Sequence, residues 1–543
     1  MKASELFVKC LENESVEYIF GIPGEENLDL MDSLLSSDIK FIQTRHEQGA
    51  AFMADVYGRL SGRAGVCLAT LGPGALNLVT PVADAQLDNA PLVAITGQSP
   101  LNVMHKESHQ YVDIVGLFRR ITKWNTQIKS ENTISETVRK AFKIAQTEKP
   151  GSTHLELPED IASAQVEDIP LIWQQPKPTE PNKNQVERAA QVISNAEYPL
   201  ILAGNGVVRS GSADALLEFA TKLQIPVTET FMGKGSIPNS NPLSLFAVGF
   251  KAKDYISCGL DHADVIITVG YDMVEYAPIQ WNKNKDKKIV HIHSSPAEVD
   301  SAYQVEVGVQ GHMAFSLNAI AEIAEPSKLP VPDPHREVML NEMHEYDDDD
   351  GFPIKPQKII SDVRKALRAD DILISDVGAH KMWIARMYPC DQPNTAIISN
   401  GLASMGIALP GAIAAKLLFP EKNIIAISGD GGFMMNSQEI ETALRIGTPF
   451  VNLIFNDGKY GLIEWQQNVQ FGRESHVDFT NPDFVRYAES FGAKAYRVGA
   501  ANELLPILEE ALRQDVVSIV DCPVDYSENI KLTESLKEIT CPL

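Results

Sequence analysis

Two aspartates 27 residues apart stand just beyond two apolar runs. The run NIIAIS (Asn423 to Ser428) leads into Gly429-Asp430-Gly431-Gly432, and FVNLIF (Phe450 to Phe455) leads into Asn456-Asp457-Gly458. Short apolar runs of this kind predict buried parallel strands, whose C-terminal ends are where open α/β sheets place ligands. Two carboxylates and a backbone carbonyl there suit a magnesium ion bridging a diphosphate. The glycines let the backbone approach a phosphate closely. Asp and Gly are also ordinary turn residues, and either site alone reads that way. The pair, at this spacing, favours the metal–diphosphate reading.

A third carboxyl group is placed differently. Thr44-x-x-Glu47 fits a helix capping box, with Glu47 reaching back to the helix start. Ala50, Ala51 and Ala54 follow it by three, four and seven residues, so Glu47 also heads a small apolar helix face. Desolvation there favours the protonated form of a carboxyl group. Other candidates are weaker. His291 and His293 alternate on one strand face and could bind a metal, but a packed strand-end pair is the better reading. The run Asp347 to Asp350 is not a calcium loop, because Tyr346 takes the place of the first loop aspartate. Asn205, between two glycines, reads as a plain turn. No Gly-x-Gly-x-x-Gly with a downstream acid is present, which argues against a nicotinamide dehydrogenase.

These residues need strands to carry them. Strand-like runs alternate with helical patterns along the whole chain, from YIFGIPG to VVSIVDCPVD, which predicts an α/β fold of parallel sheets covered on both faces. Two proline-rich polar stretches, Gln174 to Asn182 and Pro326 to Pro356, read as linkers. They divide the chain into units of about 1–170, 183–325 and 355–525, with a tail of 526–543. The chain has 543 residues, 44% hydrophobic and 22% charged, as a globular protein of about three domains should. A net charge of −25 argues against nucleic acid or an anionic membrane as partner. The six cysteines are scattered, suggesting no zinc site or disulfide framework. With no signal pattern and no long apolar stretch, the expected location is cytoplasmic.

Longer segments carry a family resemblance. GDGG, a helix and a strand ending in ND look like the diphosphate-binding motif of the thiamin-diphosphate enzymes. RHEQGAAFMADVYGRLSGRAGVCLATLGPGALN (Arg45 to Asn77) strongly resembles the acetohydroxyacid synthase version of the pyrimidine-binding segment. GIPGEENLDL (Gly21 to Leu30), PLVAITGQ (Pro91 to Gln98), SDVGAH (Ser375 to His380) and NGLASMGIALPGAI (Asn400 to Ile413) match in order. The resemblance covers essentially the whole chain. It implies three doubly wound parallel-sheet domains: pyrimidine-binding, central and diphosphate-binding.

By the same resemblance, Glu47 is the glutamate that activates the cofactor, with Pro23, Thr70, Gly74 and Asn77 around the pyrimidine. Asp430, Asp457 and the backbone oxygen of Lys459 are the Mg²⁺ ligands. Gly378, Ala379, His380, Gly431, Gly432, Tyr460, Gly461 and Leu462 are cofactor contacts. The Ala403 carbonyl accepts from the 4′-amino group, and Met405 is the wedge that bends the cofactor, though a core methionine is its plain reading. His109 and Gln110 fall on the pyruvate side. Lys123 falls near the substrate channel, where it would attract a carboxylate; a surface lysine is its plain reading.

VGYDMVEYAPIQWN (Val269 to Asn282) resembles the catabolic acetolactate synthases, which lack FAD. Gln466 aligns where biosynthetic members carry a specificity tryptophan, although Trp465 is adjacent. The implied activity is decarboxylation of pyruvate and ligation of the two-carbon unit to a second pyruvate, giving 2-acetolactate. A biosynthetic acetohydroxyacid synthase or another 2-oxoacid decarboxylase would use the same machinery. A homodimer or homotetramer is implied, with each site between the first unit of one subunit and the third of another. The tail looks like the family's lid, which excludes water. Glu25 and Glu26 depart from the small residues of biosynthetic members and leave the acceptor open.

Overall fold

The computed structural model describes residues 1–173, 177–249 and 255–529. Apolar strand runs alternating with amphipathic helices assemble into three parallel six-stranded sheets. The first has the spatial order Lys40–Gln43, Tyr18–Gly21, Gly65–Ala69, Leu92–Gln98, Ser152–Pro158, Trp124–Gln127. The third has the order Ala396–Ile398, Ile372–Ser375, Ile424–Gly429, Val451–Asn456, Ser518–Pro523, Lys494–Arg497. Numbered along the chain within each sheet, both run 2-1-3-4-6-5. The middle sheet runs 3-2-1-4-5-6, the doubly wound dinucleotide-fold order.

Burial explains the sequence pattern. Leu92–Gln98 and Ser152–Pro158 are buried at every residue, as central parallel strands must be. The edge strand Val305–Gln310 alternates buried and exposed residues, and Lys494–Arg497 carries charge at both ends.

The helix headed by Glu47, Glu47–Ser61, packs on Ala408–Leu418 of the third unit. Ala50, Ala51 and Ala54 lie in that contact, fully buried in one core with Ala408, Ala412 and Ile413. The small face read from the sequence is therefore a seam between units. Its other end is held by charge. Arg59 pairs with Asp55, Asp84 and Asp88 at 2.7, 3.2 and 2.6 Å. Asp84 and Asp88 in turn accept from Ser399, Ser404, Asn400 and Gly401 of the third unit.

Several expectations need correction. The stretch Pro326 to Pro356 is not simply a linker: it contains the helix Pro334–His344. Asp333 caps that helix through His335 N (2.8 Å), and Met339 and Met343 enter the core. Arg336 donates from it to the carbonyls of Ser244 and Asn239, both at 2.7 Å. In the acidic run, Asp347 accepts from Ser361 and pairs with His344, and Asp349 pairs with Lys355. Cys10, Cys67, Cys390 and Cys522 are free and buried. Residues 174–176 of the first linker and the tail from residue 530 onward, expected to be a lid, lie outside the described residues. Among the described residues no helix is long and apolar enough to cross a membrane.

Candidate active site

In the third unit, the strand Ile424–Gly429 delivers Asp430 as the first residue of the helix Asp430–Asn436. One Asp430 oxygen accepts from Gly431 N at 2.8 Å. The other accepts from Gly458 N and Asn481 Nδ2, both at 2.7 Å. The neighbouring strand Val451–Asn456 delivers Asp457 beside it. Burial, and then the Asp430 charge, push Asp457 up to about 7. Burial raises Asp430 as well. A buried carboxyl group beside a half-buried one whose charge it disfavours is a donor set that a divalent cation would relieve. The Lys459 ammonium, which has no lone pair for a metal, is held away by Glu464 and Glu474, both at 2.8 Å, and the backbone oxygen is the group that could meet such an ion.

The two aspartates open on a cavity of about 180 Å³. It unites segments far apart in sequence: Gly378 to His380, Ala403 and Met405, Asp430 to Gly432, and Asp457 with Lys459 to Leu462. Val377, Gly429, Ile463 and Tyr526 complete it. His380 is buried and pushed down to about 3, so its imidazole is neutral, and its Nε2 has no partner in the protein. An orphaned ring nitrogen beside glycine turns leaves a buried polar atom open to a ligand.

The Ala403–Gly406 loop is clamped. Ala403 holds φ +58° and Gly406 φ +94°, a region that a side chain disfavours. Asp376 accepts from Gly406 N at 2.8 Å and from Val377 N at 2.6 Å, and Asn436 donates to the Gly406 carbonyl at 2.7 Å. Burial pushes Asp376 up to about 6.

In the first unit, Glu47 heads its helix, but the capping box is not formed. The N-cap is His46, whose Nδ1 accepts from Gln48 N at 3.1 Å, and Thr44 Oγ1 donates to carbonyls. Glu47 is 9% exposed and accepts from Asn77 Nδ2 at 2.9 Å. A Cβ on Gly74 would stand 3.0 Å from Thr70 and 3.3 Å from the Glu47 carboxylate, which places the four residues together. Thr70 donates to Glu26 at 2.6 Å, so Glu26 belongs to this cluster. Glu25 and Pro23 are exposed beside it. The Gln110 carbonyl packs against Gly72 of the same loop, and His109 is exposed next to it.

Two substrate candidates stand elsewhere. Lys123 does not face a channel: its ammonium donates to the carbonyls of Ile144, Thr147 and Lys149 at 2.6–2.8 Å, and burial pushes it down to about 8. It ties down the end of the Ile134–Gln146 helix instead. Gln466 is exposed on the Gly461–Phe471 helix, one turn after the cavity residue Leu462.

Among the described residues no first-unit residue lines the third-unit cavity, so Glu47 and the two aspartates of one chain stand apart. Exposed apolar residues surround both: Leu76 near Glu47, and Leu402, Met434, Met435 and Ile463 near the cavity.

The middle sheet's switch point lies between Pro199–Ala203 and Val265–Val269. There the Glu275 carboxylate accepts from Asn205 N at 3.1 Å and from Thr230 Oγ1 at 2.5 Å. Arg209 pairs with Asp272 at 3.0 Å alongside it. These residues do not fit a dinucleotide, because Glu275 already takes the turn's N–H that a diphosphate would need. A cavity of about 260 Å³ at the junction of the three units is no better, because its Arg59 is neutralised by three carboxylates. His291 and His293 stack 5.5 Å apart, held by Tyr303 and Asp272, as a packed pair.

Sequence reasoning missed Asp376, Asn481 and Tyr526. Asp376 lies inside SDVGAH and could have been flagged as an acid at a strand end; Asn481 and Tyr526 carry no local signal.

Comparison with known proteins covers all three units. Residues 1–117, 186–320 and 376–522 match the N-terminal TPP binding, central and C-terminal TPP binding domains of the thiamine pyrophosphate enzymes. The chain is 37% identical to the probable acetolactate synthase large subunit of Methanocaldococcus jannaschii, over 98% of this chain and 93% of the relative. It is 34% identical to the acetolactate synthase of Bacillus subtilis (98% and 94%) and 33% identical to the catabolic acetolactate synthase of Raoultella terrigena (97% and 95%).

Proposed function

The chain belongs to the thiamine pyrophosphate enzymes and, within them, to the acetolactate synthases; from that premise we propose how its residues make 2-acetolactate and CO₂ from two molecules of pyruvate. The observation that carries the reading is the third-unit cavity, where two mutually repelling aspartates, a neutral histidine with a free ring nitrogen and a strained Ala403–Gly406 loop converge.

Asp430, Asp457 and the Lys459 carbonyl would hold Mg²⁺, which would neutralise the charge of the cofactor diphosphate. The backbone of Gly378, Ala379, Gly431, Gly432, Tyr460, Gly461 and Leu462 would enclose that diphosphate, with the neutral His380 ring beside it. The Ala403 carbonyl would accept from the pyrimidine amino group, and Met405 would support the ring from the cavity wall. When bound, thiamin diphosphate supplies the carbanion and the electron sink that decarboxylation needs. Glu47, from a second copy of the chain, shares a proton with the pyrimidine ring, and Asn77 orients its carboxylate. Pro23, Thr70 and Gly74 shape that side. His109, Gln110 and Gln466 are the groups proposed to meet pyruvate. A homodimer is the smallest complete enzyme, and the exposed apolar rims of both half-sites favour such a contact. The proposed location is the cytoplasm.

Purified protein given Mg²⁺, thiamin diphosphate and pyruvate should form acetolactate. Acetaldehyde as the sole product would overturn the ligation step. Glu47→Gln should bind cofactor normally and lose about 10²–10⁴-fold in turnover, the range for a positioned proton-transfer group. Undiminished turnover would remove its role.

A further inference from the structure

Glu439 is 0% exposed at the head of the helix Glu439–Ile446, and no role above uses it. Its carboxylate reaches out of the third unit into the first. Oε1 accepts from Arg45 N at 3.1 Å and from His46 N at 3.0 Å. Oε2 accepts from Arg45 N at 3.2 Å and from Thr442 Oγ1 at 2.6 Å. Arg45 and His46 are the two residues before Glu47. N–H groups at a helix start need acceptors, and a negative charge there is favoured by the helix dipole. Thr44, the local candidate, points its hydroxyl at carbonyls instead. The cap is therefore lent by a residue 394 positions away. Its seat has no slack: a Cβ on Gly49 would stand 2.7 Å from Glu439 Oε1.

We propose that Glu439 is a positioning residue for Glu47. It fixes the backbone that aims the Glu47 carboxylate, and so governs how fast bound thiamin diphosphate loses its C2 proton. This rests on the role given to Glu47.

The test is hydrogen–deuterium exchange at C2 of thiamin diphosphate bound to the Mg²⁺ holoenzyme, followed by quenched-flow NMR. Cofactor affinity and Tm are measured alongside. Glu439→Gln, which keeps one acceptor oxygen of two, should slow exchange about tenfold, the scale of losing a good helix cap. Its cofactor affinity should stay within about twofold. Gly49→Ala disturbs the same contact from the helix side and should do likewise. The double variant should lose little more than either single one, as residues in contact do. Should Glu439→Gln fail to fold, Gly49→Ala carries the test. Glu47→Gln is the control. Exchange at the normal rate in that control would defeat the Glu47 assignment itself. Slow exchange there, with normal exchange in both Glu439→Gln and Gly49→Ala, would overturn the positioning role alone. So would a fall in Tm and cofactor affinity with exchange unchanged.

Discussion

Glu275 shows how one side chain can close a site that the fold provides. The middle sheet has the strand order of a dinucleotide fold, and Asn205 N lies at its switch point. The carboxylate takes the place a phosphate would need. Burial, and then the nearby Asp272 charge, push Glu275 up to about 8 from 4.5. A carboxyl group raised in the folded state contributes stability that is full below its unfolded value and is lost as pH rises toward the folded value. Between pH 5 and 8 the wild-type urea midpoint should therefore fall more steeply than that of Glu275→Gln. Equal slopes would mean that Glu275 ionises at no cost. At the active site the legible residues were those with local signals. Asp430 and Asp457 each end an apolar strand in a glycine turn, so neighbours alone identify them. Asn481 donates to Asp430 across 51 residues, from a loop with no strand or helix pattern to mark it.

At the scale of elements, the Ala403–Gly406 loop matters most. Its shape is not a local preference, because a non-glycine residue stands at φ +58°. Asp376 and Asn436 grip Gly406 from two sides and hold it there. Gly406→Ala would put a Cβ 2.7 Å from Asn436 Nδ2 at φ +94°. It should cost about 1–2 kcal/mol, read as a lower urea midpoint. Cofactor affinity should fall further, because Met405 moves with the loop; unchanged affinity would separate the loop from the cofactor site. The Glu47–Ser61 helix makes a related point. Its alanine face was legible as a packing stripe, but not what it packs on. Its capping box was plausible locally and lost to tertiary partners, since His46 and Glu439 together satisfy the donors at its start.

At the scale of the molecule, the proposed dimer pairs the Glu47 of each chain with the cavity of the other. Hybrids test this directly. Glu47→Gln chains mixed with Asp430→Ala chains and allowed to exchange subunits should regain activity. In a mixed dimer, one site collects both defects and the other has none. With random pairing, about a quarter of wild-type activity should return. No recovery would mean that Glu47 serves its own chain's cavity.

The sequence by itself determined the sheet class, the strands that end in Asp430 and Asp457, and the glycine and alanine segments around them. Each of these is written in periodicity and turn chemistry, which act over a few residues. It did not show that the first and third sheets repeat one strand order, because topology persists where side-chain patterns have diverged. Nor could it show that Lys123 spends its charge on three carbonyls, that Glu275 fills the nucleotide crevice, or that Glu439 caps the helix of Glu47. Hydrogen bonds between residues far apart in the chain leave no local trace, since either partner alone reads as an ordinary surface or turn residue. Only the tertiary fold brings such pairs into hydrogen-bond reach, and there burial decides which charges hold structure and which remain for chemistry.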